Sequence, residues 1–400
     1  MRRKIARASA VVNQNRPVDT IVVDAHRSPR VRSAAMGNPV SVPITNGTAQ
    51  LPASTDAPKR FLPIIMTHSA LRSYECPMRY KLAYVLKYRS KKIARALSLG
   101  LAAHKAIELF WTAIRDGAKD PLACALSGLN ELQGFDLALI RPMIIAYVAA
   151  WSFHKWTVLA IEKKFSLALT HPDGRVHPDH LVEGRIDLIL RGPDGIVKLI
   201  DHKTSGVDVS EGSSYRKRLA RDEQMSIYMD GATSLGYDIG RIVYDVLKKP
   251  RIKPKIATPE EKRKMVKDKA TGEMRLDKRQ RDRDETPDEF EYRVAMKIAE
   301  SPSDYIVRIP LERTKEQLDE MRANLWNQAH HIEQDLENDH FASRSWLCRS
   351  NGMECQFLPF CEEGKSLNDP YLFNQIGVQH PELEEDVEID GFDDGEADPD

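Results

Sequence analysis

The sequence has little cysteine, no net charge and no long hydrophobic run, and each absence argues against a class of protein. Five cysteines in 400 residues are too few for a disulfide framework. The 59 Lys+Arg are balanced by 59 Asp+Glu, unlike a histone-like or ribosomal protein, whose affinity depends on a large positive charge. The most apolar stretch, 137–153, contains Arg141 and Pro142 and is too short to cross a membrane. We therefore expect a globular protein of the cytoplasm.

The zero net charge hides an uneven distribution along the chain. Residues 1–60 carry ten Lys/Arg and three Asp/Glu, whereas residues 382–400 carry eleven Asp/Glu and no Lys/Arg. Neither end has apolar periodicity, so we predict a disordered basic arm over 1–60 and a disordered acidic tail over 376–400. No apolar segment follows the basic first four residues, so the arm is a better interpretation than a secretory signal or a transit peptide.

Between these ends, periodicity predicts one domain over 61–375 with helices first and strands later. Helical spacing covers 67–88, 90–115, 120–133, 136–155, 219–235 and 315–338, with Pro142 as a kink or an early break in the fourth helix. Strand patterns cover 159–169, 184–191, 196–203, 241–248 and 305–311. We expect an α/β fold with a helical part over about 90–157. Residues 248–293, with sixteen Lys/Arg and eleven Asp/Glu, are interpreted as a solvated insertion, partly helical near its end.

A hairpin is predicted between two β-branched runs, 184–191 and 196–205. The turn between them contains Pro193, which cannot adopt a positive φ, so a two-residue primed turn centred on it is excluded. A three-residue loop with Gly195 in the left-handed conformation fits instead. In that register Gly192 pairs with Ile196.

The same register places two carboxylates opposite each other. Asp187 faces Asp201, and Lys203 lies two residues further along on the same side. The two carboxylates should repel, and a divalent cation such as Mg²⁺ or Mn²⁺ would relieve the repulsion. A nearby lysine can position or help to deprotonate a water on that ion. An exposed strand face with an ordinary Asp–Lys pair is the alternative interpretation.

Two further pairs of residues lie one helical turn apart. Gly100 would allow another segment to approach closely, and His104 could bind a metal. Gln224 and Tyr228 share one helical face and could contact phosphate, sugar or base. Taken alone, each pair is more often part of an ordinary helix than of a functional site.

In their order along the chain, the motifs Gly-x-x-x-His, Gly-x-x-Asp, Asp-x-Lys-Thr and Gln-x-x-x-Tyr resemble the RecB-type branch of the PD-(D/E)XK nuclease superfamily. The resemblance runs from about residue 67 to 228, and the Asp-His-Lys-Thr-Ser segment at 201–205 is its most specific part. It implies a restriction-endonuclease-like core in which helices flank a central mixed sheet, with a helical subdomain before it. It implies metal ligands at His104, Asp187, Asp201 and the backbone carbonyl of His202, a catalytic Lys203, and DNA-contacting or site-organising roles for Gln224 and Tyr228.

Four cysteines fall at the two ends of the predicted domain. Cys348, Cys355 and Cys361 are dense for a cysteine-poor chain, and three thiolates need a fourth ligand, for which Cys76 is the candidate. The arrangement resembles AddB-type and CRISPR-adaptation nucleases, in which such a set holds a [4Fe–4S] cluster, although the first gap in the trio is longer here. We expect a structural metal clasp, centred on 340–365, holding a cluster or alternatively Zn²⁺. Cys124 is expected in core packing.

The expected function is Mg²⁺- or Mn²⁺-dependent cleavage of DNA. The resemblance favours an exonuclease acting on ends or single strands in recombination, repair or phage DNA metabolism, in a bacterial or phage-infected cell. The sequence has no Gly-x-x-x-x-Gly-Lys-[Ser/Thr] motif, so unwinding would need a helicase or recombination partner. The alternatives are a non-catalytic DNA-binding or scaffold protein with the same fold, and RNA as the substrate.

Overall fold

A computed structural model describes residues 63–92, 94–151, 155–350 and 353–384. The predicted basic arm over 1–60 and the acidic residues 385–400 lie outside these ranges.

The described chain alternates helices and strands, as an α/β fold requires. The helices are α1 His68–Tyr74, α2 Pro77–Tyr80, α3 Arg95–Arg115, α4 Pro121–Ser127, α5 Gly134–Trp151, α6 Ser214–Arg221, α7 Gln224–Ser234, α8 Pro287–Glu300, α9 Lys315–Asn338 and α10 Leu358–Cys361. The strands are β1 Ile64–Met66, β2 Tyr88–Ser90, β3 Thr157–Thr170, β4 Val176–Arg191, β5 Val197–Ser205, β6 Arg241–Lys248, β7 Met265–Lys267, β8 Met274–Leu276, β9 Ile306–Leu311, β10 Arg349–Ser350, β11 Met353–Glu354 and β12 Phe373–Gln375.

The central sheet is mixed and has six strands. Its order is β1-β4-β5-β6-β9, and β3 also pairs with β4. The β1–β4 and β5–β6 pairs are parallel, and the β3–β4, β4–β5 and β6–β9 pairs are antiparallel. Because β3 pairs along one edge of β4, β1 and β5 share the other edge. The predicted α/β fold with a mixed central sheet is confirmed.

Helices cover both faces of this sheet. Leu188, Ile200 and Val243 point into a core with α3, α5 and α8, whereas their neighbours Ile189 and Leu199 point into a second core with α7 and α9. This alternation follows from the period of two in a strand. The inner strands read as nearly continuous apolar runs because both of their faces are buried.

The helix predicted over 67–88 is wrong. The structure has α1 and α2 separated at Cys76, then a π-helix over Lys81–Val85 and the strand β2. Pro77 has no backbone N–H to continue α1, but it suits the first position of the new helix α2. The apolar spacing persists across the break because Tyr80 and Tyr84 are buried in one cluster.

The helix predicted over 219–235 is also two helices. α6 ends at Arg221, and Asp222 has extended geometry with ψ 131°. The Asp222 carboxylate accepts a hydrogen bond from the backbone N–H of Gln224 at 2.9 Å, which satisfies a free donor at the start of α7. Elsewhere the predicted helix over 120–133 stops at Ser127, and the sheet strands mostly run longer than predicted.

The insertion over 248–293 is solvated only in its first part. Residues 249–286 hold the short β7–β8 hairpin, in which Met265 and Met274 are about half exposed. α8 then begins with a capping box at Thr286. Phe290, 2 % exposed, packs edge-to-face on Phe135 with ring centroids 5.7 Å apart. The end of the predicted insertion therefore belongs to the core, because its apolar side chains repeat at helical spacing.

Pro142 lies within α5 and does not end it. Among the described residues, α5 is the one helix long and apolar enough by composition to cross a membrane, with a mean hydropathy of 1.4 over 18 residues, half of them buried inside the protein. Its Tyr147 and Trp151 are buried beside α3 and β6. A core helix explains these features.

The predicted start of the acidic tail at 376 is wrong, since the chain stays packed to Glu384. Pro381–Leu383 forms a 3₁₀ turn in which Pro381 and Leu383 are buried. The Glu382 carboxylate accepts hydrogen bonds from the hydroxyls of Thr67 and Tyr84. Burial and hydrogen bonding offset the acidic composition of this segment.

Candidate active site

The predicted hairpin register is confirmed. Leu188 pairs with Ile200 and Arg191 with Val197. The backbone N–H of Gly192 donates to Ile196 O at 3.0 Å, and Gly195 adopts φ 77°. Local turn chemistry therefore sets the pairing of β4 with β5.

Asp187, Asp201 and Lys203 lie where this ladder ends. Asp187 Oδ2 accepts a hydrogen bond from the backbone N–H of His202 at 2.8 Å, which ties the β4 carboxylate to β5. Lys203 Nζ is 3.2 Å from Asp201 Oδ2, and the Asp201 side chain is only 2 % exposed. The structure thus brings together the three side chains that the sequence placed on one face.

Asp201 is a buried carboxylate whose charge the protein only partly compensates. Burial raises the pKa of Asp201 to about 7, Lys203 opposes the rise, and the charge of Asp187 adds to it. Within the described chain, Asp201 Oδ2 has the Lys203 ion pair but accepts no hydrogen bond. Hard oxygen donors with a free lone pair are the ligands that Mg²⁺ and Mn²⁺ prefer, so these residues fit a divalent cation.

Gln224 and Tyr228 belong to the same site through Lys203. Lys203 Nζ donates to Gln224 Oε1 at 2.9 Å, and Gln224 Nε2 donates to the Tyr228 hydroxyl oxygen at 3.1 Å. Burial, and then the charges of Asp201 and Asp187, raise the pKa of Tyr228 far above its usual range. Tyr228 is therefore neutral, and Tyr228 and Gln224 form a chain of hydrogen bonds that holds the Lys203 side chain in place.

His104 lies on α3 at the edge of this group. Its Nδ1 is 3.9 Å from Asp187 Oδ2. A Cβ built at Gly100, one turn earlier, would lie 3.2 Å from Thr204 Oγ1 on β5. The glycine thus lets α3 approach the strand closely, which brings His104 to the carboxylates.

The His202 ring points away from Asp201 and Lys203. It packs against Tyr147 and His104, and its Nδ1 is 3.7 Å from Asp245 Oδ2. Burial holds the pKa of His202 well below its usual range. The ring is therefore neutral, and only the backbone of His202 reaches the carboxylate side.

Glu162 is a further carboxylate of this group that sequence reasoning missed. It stands at φ 45° in β3, between the registered pairs Ile161–Leu188 and Lys163–Ile186, so it lies opposite Asp187. Burial, and then the charge of Asp187, raise the pKa of Glu162 well above its usual range. The backbone geometry that turns this side chain has no sequence signal, because a glutamate in a strand is usually solvated.

Two glycines allow α7 to pack closely on the sheet. A Cβ built at Gly231 would lie 2.5 Å from Phe165 Cγ, and one at Gly184 would lie 2.7 Å from the far edge of the same ring. Phe165, 4 % exposed, therefore fills the space between β4 and α7. This packing sets the distance from α7, and hence from Gln224, to Lys203.

The four cysteines of the predicted clasp do not form a close group in the described part of the chain. Cys76 is buried and Cys361 is exposed. The pKa of Cys361 is raised to about 11, mainly by burial and then by the thiols of Cys355, Cys348 and Cys76, in that order. In the described ranges, however, no three cysteine sulfurs lie within 4.8 Å of one another. The structure therefore does not show a formed metal clasp.

The sequence model of the PD-(D/E)XK nuclease superfamily matches residues 66–362. The chain belongs to the PD-(D/E)XK nuclease superfamily. This membership supports a nuclease or phosphodiesterase with a nucleic-acid substrate.

Other comparisons add little. No curated protein matches the chain. The solved structure called "Crystal structure of SSO0001" is similar at 13 % identity over 50 % of this chain and 72 % of that chain, with a TM-score of 0.18. A TM-score this low supports no structural argument.

Proposed function

We propose that the protein is a Mg²⁺- or Mn²⁺-dependent DNA nuclease that hydrolyses phosphodiester bonds as an exonuclease. The observation that carries the proposal is the meeting of Asp187, Asp201 and Lys203 at the end of the β4–β5 ladder, inside the superfamily match. Two carboxylates and a lysine at one point are the groups that metal-assisted hydrolysis needs.

In this proposal the ion is held by Asp187, Asp201, His104 and the backbone carbonyl of His202. A bound Mg²⁺ or Mn²⁺ supplies Lewis acidity and lowers the pKa of a coordinated water. The raised pKa of Asp201 supports the assignment, because a cation beside the carboxylate would stabilise the charge that burial disfavours. Glu162 adds a carboxylate to the same group.

Lys203 orients the attacking water, and its positive charge lowers the pKa of that water and so favours loss of the proton to solvent. Gln224 Oε1 holds the ammonium from one side and Asp201 Oδ2 from the other, so the lysine is preorganised before substrate binds. Tyr228 acts through Gln224 as a positioning residue.

The test is cleavage of labelled single- and double-stranded DNA with Mg²⁺ or Mn²⁺ by the full chain. Lys203→Ala should lower the rate by about 10²- to 10³-fold, the usual contribution of one preorganised group that stabilises developing charge. Lys164→Ala, an exposed lysine on β3, is the matched control and should cleave like the wild type. Equal cleavage by wild type and Lys203→Ala would refute the proposal.

The remaining outcomes of this assay select among substrates and modes. Cleavage of closed circular DNA would replace the exonuclease by an endonuclease, and cleavage of RNA alone would replace the substrate. Binding of DNA without cleavage by any of the proteins would favour the non-catalytic scaffold.

We also propose that Cys76, Cys348, Cys355 and Cys361 hold a [4Fe–4S] cluster with a structural role. The effect of the other three thiols on the pKa of Cys361 supports a shared neighbourhood. The site would join segments about 270 residues apart, and closing so long a loop favours the folded chain. Iron content with broad visible absorption is expected, whereas zinc alone would replace the cluster by a zinc site.

Cys355→Ser is the variant that tests the clasp. It should lose the metal and unfold at a lower temperature, while Cys124→Ser should keep both. Unchanged metal content and stability in Cys355→Ser would contradict the proposal. For the cellular role we propose a cytoplasmic enzyme of recombination, repair or phage DNA metabolism, with a helicase or recombination partner where unwinding is needed.

A further inference from the structure

Two histidines of β4 and a glutamate of α9 meet far from the hairpin. One ligand atom each from His177, His180 and Glu333 lies within 4.8 Å of the others, and among the described residues no other His, Cys, Asp or Glu side chains form such a group. Glu333 Oε1 is 3.6 Å from His177 Nε2 and 3.6 Å from His180 Nδ1. The two Nδ1 atoms are 3.2 Å apart.

An irregularity in β4 brings the two histidines to one side. Ala168 pairs with Leu181, and Thr170 pairs with Val176, so residues 177–180 of β4 stand opposite a single residue of β3. Positions three apart on a regular strand face opposite ways. The extra residues break that alternation, and both imidazoles are buried while the residues between them are exposed.

The protein alone does not satisfy these rings. His177 Nδ1 already accepts a hydrogen bond from the backbone N–H of Asp179 at 3.3 Å. The His180 side chain is fully buried, and its Nε2 has no hydrogen-bond partner among the described residues. If the proton of His180 is on Nε2, that N–H is unpaired, and the lone pairs of His180 Nδ1 and His177 Nδ1 face each other at 3.2 Å. If the proton is on Nδ1, the Nε2 lone pair is unpaired.

The protonation state and charge of the group suit a cation. Burial lowers the pKa of His180 to about 4 and also lowers the pKa of His177, so both rings are neutral near pH 7. Neutral imidazole and carboxylate are the forms that bind metal. Glu333 is 29 % exposed, which leaves a path for an ion to enter.

We propose that His177, His180 and Glu333 form a second metal site, which binds a divalent transition ion of the Zn²⁺ type. Imidazole nitrogen and one carboxylate suit zinc better than Mg²⁺. Ligand atoms about 2.0–2.1 Å from a tetrahedral zinc lie about 3.3 Å apart, and the Glu333 carboxylate oxygen is close to that distance, 3.6 Å, from both His177 Nε2 and His180 Nδ1. Three protein ligands leave the fourth position to water.

The site would fasten β4 to α9 and is separate from the nuclease site. Asp187 is seven positions after His180 on the strand, a separation of about 23 Å at about 3.3 Å per residue. His330, whose Nδ1 is 3.1 Å from Glu333 Oε2, orients the carboxylate from outside the ligand set.

The experiment measures zinc bound by the full chain after chelator treatment and dialysis against Zn²⁺, together with the thermal unfolding midpoint. Glu333→Gln and His180→Asn should each bind one zinc fewer per chain, or bind it at least tenfold more weakly, and should show a smaller upward midpoint shift with Zn²⁺ than the wild type. His331→Ala, an exposed histidine on the same helix, is the matched control and should behave like the wild type.

Zinc on the cysteines is common to all four proteins, so the difference between them isolates this site. Equal zinc content and equal midpoint shift in wild type and Glu333→Gln would overturn the proposal. If His180→Asn fails to fold, the comparison of Glu333→Gln with the wild type decides the proposal, because Glu333 is partly exposed and its substitution disturbs the core less. Mg²⁺ bound at the nuclease site is likewise common to these proteins, so a Mg²⁺-dependent shift that Glu333→Gln loses as fully as the Zn²⁺-dependent shift would overturn the assigned ion class.

Discussion

Gly231→Ala tests the packing that seats α7 beside the proposed catalytic lysine. The added methyl would lie 2.5–2.6 Å from three atoms of the Phe165 ring, far inside the optimal carbon separation of about 3.5–4.0 Å. The ring cannot retreat, because its far edge lies against Gly184, where a Cβ would be 2.7 Å away. The substitution therefore overpacks a closed space.

The expected magnitude is a net loss of about 1–2 kcal/mol in the free energy of unfolding. Overpacking a core costs about 1–3 kcal/mol, and alanine returns up to about 1 kcal/mol of helix propensity. Urea denaturation measures the result directly. Because α7 carries Gln224, which holds Lys203, the DNA cleavage rate is a second readout and should fall as well.

The double variant with Phe165→Leu isolates the contact. In that smaller background Gly231→Ala should be neutral or stabilising, with a coupling of about 1–2 kcal/mol between the two positions. Gly377→Ala, where a Cβ would meet nothing within 4 Å, should stay within about 0.5 kcal/mol of wild type. The packing argument fails if Gly231→Ala is no less stable than wild type, or if its effect is the same in both backgrounds.

Three other predictions follow from burial and charge. Asp222→Ala should lower the free energy of unfolding by about 1–2 kcal/mol at pH 7, since the carboxylate contacts His68 Nε2 at 3.2 Å and Gln224 N at 2.9 Å. Burial raises the pKa of Asp222, but these contacts outweigh burial and hold it below its usual range. The stability difference between wild type and variant should therefore be present above about pH 4 and shrink in acid, and a constant difference down to pH 2 would contradict this. Phe290→Ala should lower the free energy of unfolding, measured with denaturant, by about 3–5 kcal/mol. Met274 is exposed, so Met274→Ala should lower it by under about 0.5 kcal/mol. Equal losses would contradict the assignment of Phe290, but not Met274, to the core. Deleting 385–400, with nine Asp/Glu, should tighten DNA binding most at low salt, and unchanged affinity across salt would leave that segment a solubilising role.

Much of the candidate site could be predicted because its geometry is local. Pro193 and Gly195 select one turn, the turn fixes the register, and the register places Asp187, Asp201 and Lys203 together. Glu162 was missed because its position depends on an irregular residue in β3.

The amino-acid sequence by itself determined the hairpin, the order of helices and strands, and the residue types of a metal-assisted site, since each rests on interactions among near neighbours. Only the tertiary structure decided the docking of α8 and the packed segment 376–384. It also decided the meeting of His177, His180 and Glu333. These features depend on contacts between residues far apart in the chain, where burial and hydrogen bonding outweigh local propensity.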